Sequence, residues 1–401
     1  MLKVSPNILA LGWVSFFTDM ATAMIKPLIP IYVVLVLNQG MDKLGYVLAI
    51  TTLVSYLLRW VGGYLSDKFQ VTKPLLLIGY SLSAITKPLL AYTSSWGGVA
   101  AISATERLGK AIRSAPKDML ISASAQQQNQ GKAFGFHKTL DIAGEMVGGI
   151  IAFLLLRWLG QSPEFIRIMF ELTIIPGIIG VLILIFFVKD TVKSSHKASL
   201  VTSSHSQPTE YPSHFDKTLW SWFVVYFLAV LFMLNDAFMV MRGSEIGIGT
   251  HWLPLLMVIS ALTQTLISYK IGKNLDSQGA QWLLRLSLWA GLLSTLLLFF
   301  HSPSTIILAF IFQGVFIVGG FNALRSRIGQ TAQNKGKAYG MFYLGTAVAM
   351  ALGNLMIGQI WEQISVYAAL SFSAIGLIGL LIIALFTKGL LLNSGINHSD
   401  L

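Results

Sequence analysis

The sequence predicts an all-α membrane protein with twelve transmembrane helices in two six-helix, pseudo-symmetric bundles. Three observations predict this class: long apolar runs, an internal repeat, and basic residues that gather in alternate connections. Hydrophobic residues make up 54% and charged residues 11% of the 401 positions, and the runs approach or exceed the roughly 20 residues that cross a bilayer as a helix. This composition excludes an ordinary soluble domain.

The first apolar run, at about 7–37, is predicted to be a retained transmembrane helix. It follows a short, weakly charged start, is longer than the apolar core of a signal peptide, carries Asp19 and lacks a convincing cleavage site. Pro27 and Pro30 interrupt its backbone pattern. The other runs lie at about 44–66, 74–95, 97–117, 133–157, 167–189, 217–241, 250–273, 281–301, 304–327, 338–361 and 366–388.

The second six runs partly repeat the first six. The segment GKAFG at 131–135 and the segment GKAYG at 336–340 each open the fifth run of their half, and paired six-helix repeats are an architecture of transporters. Between the halves the chain is polar and rich in Ser, Thr and His, so it cannot bury a core. We therefore predict an N-terminal bundle at 1–189, a cytoplasmic linker at 190–216, and a C-terminal bundle with a short cytoplasmic tail at 217–401.

The net charge of +11 fits membrane orientation better than binding to nucleic acid. Most Lys and Arg residues flank alternate connections, as the positive-inside rule requires of cytoplasmic loops. With an even number of crossings, this pattern predicts that both termini are cytoplasmic. We expect a monomer in contact with lipid and no nucleic acid partner.

Catalytic and cofactor-binding motifs do not match this sequence. With no cysteine, the chain has no disulfide, thiolate metal site or cysteine nucleophile, and HExxH, GxSxG and the ATP-binding GxxxxGK[ST] patterns do not occur. The linker histidines, His196, His205 and His214, are irregularly spaced, which favours a solvated segment over a metal site. We predict no catalytic residues, no metal and no cofactor. A membrane-embedded enzyme and a channel are the less favoured classes.

Two short connections carry a related pattern. The first reads GGYLSDKFQVTKP and contains Gly63, Asp67 and Lys68; the second reads IGKNLDSQGAQ and contains a glycine, an acid and a second glycine. The pattern resembles the cytoplasmic signature of the major facilitator superfamily, although basic residues of that signature are missing here. The resemblance implies a tight turn whose carboxylate caps or pairs with a neighbouring helix and latches one transport state. The positions in the second half are Gly272, Asp276 and Gly279.

Three further blocks look like one bacterial and archaeal branch of that superfamily. They are FFTDMATAMIKPLIP, ERLGKAIRSAPKD followed by GKAFGFHKTLDIAG, and NDAFMVMRGSEIG. Ala23 and Lys26 depart from the Glu and the aromatic residue that are common in the branch. The resemblance implies the twelve-helix fold of the superfamily, alternating access, and a place in the bacterial cytoplasmic (inner) membrane.

The fourth run carries four charges in eight residues, Glu106, Arg107, Lys110 and Arg113. Each would cost roughly 2.5–3.5 kcal/mol if it faced lipid at mid-membrane, so all should face an interior. The spacing of three between the cations predicts one continuous stripe, which would form an anion path or a gate. The alternative is structural: residues from Arg113 to Asp118 would form ion pairs with neighbouring helix ends.

In the fifth run His137, Asp141 and Glu145 recur every four residues, which predicts that they share one face. Desolvation favours the neutral form of a carboxyl group, so a deep acid such as Glu145 could take up and release a proton. The alternative is permanent pairing with nearby cations. The glycines of this run, at Gly135, Gly144, Gly148 and Gly149, resemble an antiporter signature without its proline, and close helix packing explains them equally well.

The first and seventh helices line the central cavity in the superfamily, so the resemblance adds Asp19, Lys26, Asp236 and Arg242 as solute contacts. Arg59 and Lys87 are expected to be structural cations. We predict a proton-coupled secondary transporter of a small organic solute, with an anion such as a carboxylate metabolite or siderophore favoured weakly. An efflux antiporter for amphipathic drugs or toxic compounds is the alternative.

Overall fold

The computed structural model describes residues 5–58, 72–126, 129–190, 217–332 and 335–386, without the side chains of 217–218, 269–279, 335 and 385–386. The regular structure in these ranges is helical throughout. The α-helices are α1 (Pro6–Ile25), α2 (Leu28–Ile31), α3 (Met41–Leu57), α4 (Lys73–Leu89), α5 (Trp96–Ser124), α6 (Gln130–Leu159), α7 (Pro163–Leu172), α8 (Ile174–Phe187), α9 (Lys217–Phe232), α10 (Asp236–Glu245), α11 (Leu253–Leu297), α12 (Pro303–Thr331), α13 (Lys335–Gln363) and α14 (Val366–Phe386).

The predicted all-α membrane class is confirmed. Within the described ranges, nine helical segments are long and apolar enough to cross a membrane. Three of the twelve predicted runs are not among them. The second run extends into 59–71, outside the described residues; the fourth is α5, which carries several charges; the ninth forms the second part of α11.

Helix α11 differs from the prediction. It runs without a break through 45 residues, including 271–281, where the sequence predicts a turn, so that prediction was wrong. The segment contains no proline, and its two glycines each cost a helix only about 1 kcal/mol relative to alanine. Local glycine content was therefore too weak a signal to end this helix.

Three predicted runs are interrupted: the first run of each half, and the sixth run, which breaks at Thr173 between α7 and α8. The first run is interrupted at Lys26 and Pro27 and continues through α2 into a π-helical turn at Tyr32–Val36, because Pro27 has no backbone N–H to continue the ladder. The seventh run is interrupted at 233–235, and Asn235 accepts a hydrogen bond from the Ala237 backbone N–H at 3.0 Å. Interrupted helices in matching repeat positions are a feature of transporters.

Internal contacts divide the chain into two units. Unit 1 comprises the described residues within Met1–Gln207 and Gly243–Val258; unit 2 comprises those within Pro208–Arg242 and Ile259–Leu401. In unit 1, α1 packs along α6 and α4 packs along α5; in unit 2, α9 packs along α13 and α14. The predicted domain boundaries, with a linker over 190–216, lie mostly outside the described residues and stay a prediction.

The contact between the first and fifth helices of each half depends on glycine. In unit 1, a Cβ added to Gly148 would overlap the Met20 carbonyl oxygen; in unit 2, a Cβ added to Gly353 would overlap that of Leu231. These two glycines lie as far apart in the chain as the two repeated segments do. The sequence repeat is therefore also a repeat of helix packing.

One end of unit 1 is held together by polar contacts between helix ends. Asn7 Nδ2 donates to Ser124 Oγ and to the Lys189 carbonyl oxygen, both at 2.9 Å. Asp190 accepts from Thr72 Oγ1 at 2.6 Å and from the Lys73 backbone N–H at 3.2 Å. An acid at the first turn of α4 satisfies free backbone donors and opposes the positive end of the helix dipole. These bonds fix α1, α4 and α5 relative to one another.

Candidate functional site

The charged residues on the apolar helices of unit 1 separate into a buried group and a more exposed group. Five are at most 9% exposed: Lys87, Glu106, Arg113, His137 and Asp141. Lys26, Lys110 and Glu145 are exposed, and Asp19 and Arg107 are partly exposed. The sequence alone placed members of both groups together as candidates, and the structure separates them.

The first buried cluster joins α4 to α5 through a serine. Lys87 Nζ donates to Ser83 Oγ at 2.7 Å and to the Ser83 carbonyl oxygen at 3.1 Å. Ser83 Oγ in turn donates to Glu106 Oε1 at 3.1 Å, and Glu106 Oε2 lies 3.6 Å from Arg107 Nε. Buried charges persist only when paired and hydrogen-bonded, and Ser83 connects these two.

Arg113 does not continue the stripe that the sequence predicts. It is buried, donates from Nη1 to the Gly79 carbonyl oxygen at 3.3 Å, and lies 4.4 Å from the centre of the Tyr80 ring, whereas Lys110 is exposed. Each step of three residues falls about 60° short of a full helical turn, so two steps rotate Arg113 about 120° away from Arg107. Spacing of seven instead brings Glu106 and Arg113 to the same face, toward α4. The prediction of one continuous stripe was wrong.

The second buried cluster links α4, α1 and α6. The Tyr80 hydroxyl lies 3.2 Å from Ser15 Oγ, and Ser15 Oγ lies 2.9 Å from His137 Nε2. His137 Nδ1 is 3.5 Å from Asp141 Oδ1, and Lys138 Nζ is 3.8 Å from Asp141 Oδ2. The cluster can therefore hold or relay a proton between helices, or it can hold three helices in register.

Glu145 is separate from this cluster. Eight residues of helix rotate a side chain by about 80°, and Glu145 is exposed while His137 and Asp141 are buried. Within the described residues, Glu145 makes no hydrogen bond or ion pair. The three residues predicted to share one face therefore separate into a buried pair, His137 and Asp141, and one exposed acid, Glu145.

Three exposed or half-exposed charges belong to α1 and α5. Asp19 on α1 lies within electrostatic range of Lys110 on α5, and Arg107 precedes Lys110 by three residues on the same helix. A cavity lies between α1, α4 and α5, and Lys26 and Arg107 are among its lining residues. Its empty space is about 370 Å³, including the open solvent at its mouth. Unit 1 therefore offers both an exposed charged region and an adjoining pocket.

The candidates of unit 2 have different surroundings from each other. Asp236, the first residue of α10, accepts from Gln313 Nε2 at 3.3 Å, and the same amide donates to the Leu234 carbonyl oxygen at 3.0 Å. Arg242 is 2% exposed and donates from Nε to the Leu298 carbonyl oxygen at 3.0 Å. Gln313 thus stabilises the interrupted helix at α10, and Arg242 is a packed residue rather than an exposed one.

Most candidates of the two turn motifs lie outside the described residues or have no described side chain. Gly63, Asp67, Lys68 and Arg59 fall outside the described residues; Gly272, Asp276 and Gly279 belong to α11, in a segment without described side chains. Asp118 is exposed near the end of α5. Within the described residues, no group of three or more His, Cys, Asp or Glu side chains is arranged to hold a metal ion.

Sequence reasoning missed the neutral polar partners. Ser15, Tyr80, Ser83 and Gln313 each connect a candidate charge to another helix. A signal did exist on α4, where Gly79, Ser83 and Lys87 are four apart and so share one face. Two of the four α6 glycines that resemble the antiporter signature also gain an explanation: a Cβ at Gly144 or Gly148 would overlap the α1 backbone, whereas a Cβ at Gly135 would meet nothing within 4 Å. Close packing therefore accounts for Gly144 and Gly148, and the resemblance to the antiporter signature stays a prediction.

Comparison with known proteins gives a consistent result. A family model described as Major Facilitator Superfamily matches residues 11–273. An uncharacterised MFS-type transporter of Methanocaldococcus jannaschii is 27% identical over 376 residues, which cover 90% of this chain and 89% of the relative. An uncharacterised protein of Mycobacterium tuberculosis strain H37Rv is 24% identical over 314 residues, which cover 76% and 74%.

Solved structures share the fold at low sequence identity. The nucleoside transporter NupG has a TM-score of 0.76 at 15% identity, covering 95% of this chain and 98% of its own. A POT family transporter in complex with 5-aminolevulinic acid has a TM-score of 0.76 at 12% identity, covering 96% and 97%. At these identities the likeness is one of fold.

Proposed function

The chain belongs to the major facilitator superfamily, and from that premise we propose that it is a proton-coupled secondary transporter that moves a small anionic organic solute by alternating access. Membership of this transporter family fixes the general activity, a membrane transport of a small solute. The solute class, the coupling ion and the roles of individual residues are the content of the proposal.

The observation that carries the proposal is the exposure of charged side chains on helices of unit 1 that are long enough to cross a membrane. Lys110 and Glu145 are exposed on α5 and α6, two helices whose lengths suit a membrane crossing. Facing lipid at mid-membrane, each would cost roughly 2.5–3.5 kcal/mol on insertion scales. A surface that meets water during the transport cycle removes that cost, and a transporter needs such a surface.

The balance of these exposed charges supports an anionic solute. Lys26, Arg107 and Lys110 carry positive charge, whereas Asp19 and Glu145 carry negative charge. We assign the three cations to solute binding, with Asp19 as a partner that holds Lys110 between transport events. Asp236, beside the helix interruption in unit 2, is the proposed solute contact of the second half. Arg242 supports it by packing.

Glu145 is the proposed proton carrier. It lies on an apolar helix, is accessible, and has no partner among the described residues, so nothing described there holds its charge. Asp141 is buried beside His137 and Lys138 and is better suited to a fixed role. Both termini are proposed to be cytoplasmic, as the distribution of basic residues indicates.

Reconstitution in liposomes tests this function. Purified protein under an imposed pH gradient is supplied with a mixed metabolite pool, and gradient-driven flux is compared between wild type, Glu145→Gln and the control Glu164→Gln, which removes an exposed acid at the start of α7. We expect flux in the wild type and the control, and loss of gradient dependence in Glu145→Gln. Unchanged gradient-driven flux in Glu145→Gln would remove Glu145 from the proton role. Flux of no solute in either direction would contradict the transport proposal.

A further inference from the structure

The cavity between α1, α4 and α5 has the features of a ligand site inside unit 1. It lies about 10–16 Å along α5 from its first residue, counting 1.5 Å per residue from Trp96 to Ser103 and Arg107. Its empty space of about 370 Å³ includes the open solvent at its mouth, so the enclosed part is smaller than this figure. A compact ligand would fill it.

The lining of the cavity carries an excess of positive charge. Its ionisable residues are Lys26, Lys87, Glu106 and Arg107. Lys87 and Glu106 compensate each other through Ser83. Glu106 also lies 3.6 Å from Arg107 Nε, so this one carboxylate is shared among the cations, and the lining has a formal excess of two positive charges. In a site of low polarity, such an excess favours an anion.

One lining residue has an unused donor. Ser103 is 9% exposed, and its Oγ has no hydrogen-bond partner within the described part of the chain. Buried polar atoms are almost always satisfied, so an orphan at a cavity wall points to a water or a ligand group inside the cavity. Ser103 and Arg107 are four residues apart on α5 and therefore share a face. A single anionic group can accept from both.

The remaining wall of the cavity is aliphatic. Ile25, Ile29, Leu90 and Ile102 line it together with two threonines. An aliphatic wall offers no partner to a second charged or strongly polar group, and burying such a group unpaired is costly. The matching ligand has one anionic end and one short apolar end.

We propose that this cavity binds a small monocarboxylate with a short aliphatic tail. Its carboxylate accepts hydrogen bonds from Ser103 Oγ and the Arg107 guanidinium near Lys26, and its tail packs against Ile25, Ile29, Leu90 and Ile102. The proposal rests on the transport function proposed above and narrows the solute to this class.

Binding of radiolabelled butyrate to the purified full-length protein in detergent tests the proposal. Unlabelled butyrate, butanol and butylammonium, which share a four-carbon chain but differ in charge, serve as competitors. The variants are Ser103→Ala, Arg107→Gln and Arg107→Lys. Their matched controls are Ser114→Ala, whose hydroxyl bonds to its own helix at Ala111, and Arg157→Gln, an exposed arginine on α6. Thermal unfolding of each variant checks that it is folded.

We expect butyrate alone to compete. Ser103→Ala and Arg107→Gln should each weaken binding about tenfold or more, because each removes a hydrogen bond to a charged group. Arg107→Lys should bind more tightly than Arg107→Gln, since lysine keeps the positive charge but lacks the planar guanidinium that can donate two parallel hydrogen bonds to a carboxylate. Both controls should bind within about twofold of wild type.

Three outcomes overturn the proposal: no butyrate binding, equal competition by butanol or butylammonium, or unchanged affinity in folded Ser103→Ala and Arg107→Gln. Failure here is distinguishable from failure of the transport function. If liposomes carry another solute while butyrate neither binds nor inhibits, the cavity proposal fails and transport stands. If no solute moves in liposomes, transport fails regardless of butyrate binding in detergent.

Discussion

Ser15 Oγ and His137 Nε2 lie 2.9 Å apart and join α1 to α6 in the interior of unit 1. Both residues are buried, at 3% and 4% exposure. Around them the two helices meet at glycines, with Gly144 against Phe16 and Gly148 against Met20. A single polar link therefore lies within a seam of close backbone contact, where sliding of one helix along the other would break it.

Replacing Ser15 with alanine should destabilise the folded protein. The change leaves His137 Nε2 and the Tyr80 hydroxyl without their shared partner, and interhelical hydrogen bonds in membrane proteins contribute about 0.6 kcal/mol on average and up to about 1.7 kcal/mol. We expect a loss in that range, measured by circular dichroism during unfolding in increasing dodecyl sulfate. Thr139→Ala is the control, because that hydroxyl is exposed and bonds within its own helix. An equal loss in both variants would contradict a role for the interhelical bond.

Gly148→Ala should be strongly destabilising, whereas Gly135→Ala on the same helix should not be. A Cβ at Gly148 would overlap the Met20 carbonyl oxygen and come within 2.9 Å of Ala23 Cβ; a Cβ at Gly135 meets nothing within 4 Å. Overpacking typically costs about 1–3 kcal/mol, and backbone overlap places Gly148 at the upper end. Gly135→Ala should change stability by less than about 1 kcal/mol, toward stabilisation.

The same unfolding assay applies to Gly353→Ala in the second half. Because an added Cβ there would overlap the Leu231 carbonyl oxygen, we expect a loss similar to that of Gly148→Ala. If Gly353→Ala and Gly135→Ala behaved alike, the packing equivalence of the two halves would be wrong.

The fold class was predictable because apolar length and repeat position are strong signals over many residues. Interruption of the first run was also readable, since Pro27 cannot donate a backbone hydrogen bond. The interruption at 233–235 has no proline; it depends on Asn235 capping α10 and on Gln313, a residue distant in sequence. Such a contact exists only after the helices have packed, so local sequence could not reveal it.

The candidate site was predictable in composition but not in arrangement. The sequence required the charges on α5 to avoid lipid, and the structure places them in two directions: Glu106 and Arg113 are buried toward α4, whereas Arg107 and Lys110 are more exposed. The helix rotation that separates them is only about 60° per step of three residues. This rotation alone does not say which face of α5 is buried, because that depends on which helix packs against it. The sequence around Ser83 likewise does not show that this serine connects Lys87 to Glu106.

Glu106→Gln should cost more stability alone than together with Lys87→Met. Removing the carboxylate leaves Lys87, at 1% exposure, as a buried cation with only serine partners, and breaking a buried pair typically costs about 3–5 kcal/mol. Replacing both charges removes the uncompensated cation. A double-mutant cycle on unfolding free energy checks this, and the double variant should be at least about 1 kcal/mol more stable than Glu106→Gln alone. Strict additivity of the two single losses would mean that Lys87 and Glu106 do not interact.

The absence of cysteine from the chain allows the exposed charges to be examined one position at a time. Single variants Lys110→Cys and Glu145→Cys should react with a charged, membrane-impermeant maleimide in intact vesicles from at least one side, because water must reach exposed charges within the membrane. Ser83→Cys should not react, since that position is fully buried. Phe186→Cys provides the decisive control: its position is 72% exposed on an apolar helix and should face lipid, where a charged reagent does not enter and a thiol stays protonated. If Lys110→Cys and Glu145→Cys were as unreactive as Phe186→Cys from both sides, these two positions would not line a water-filled path. The exposure of Lys110 and Glu145 would then no longer support the transport proposal.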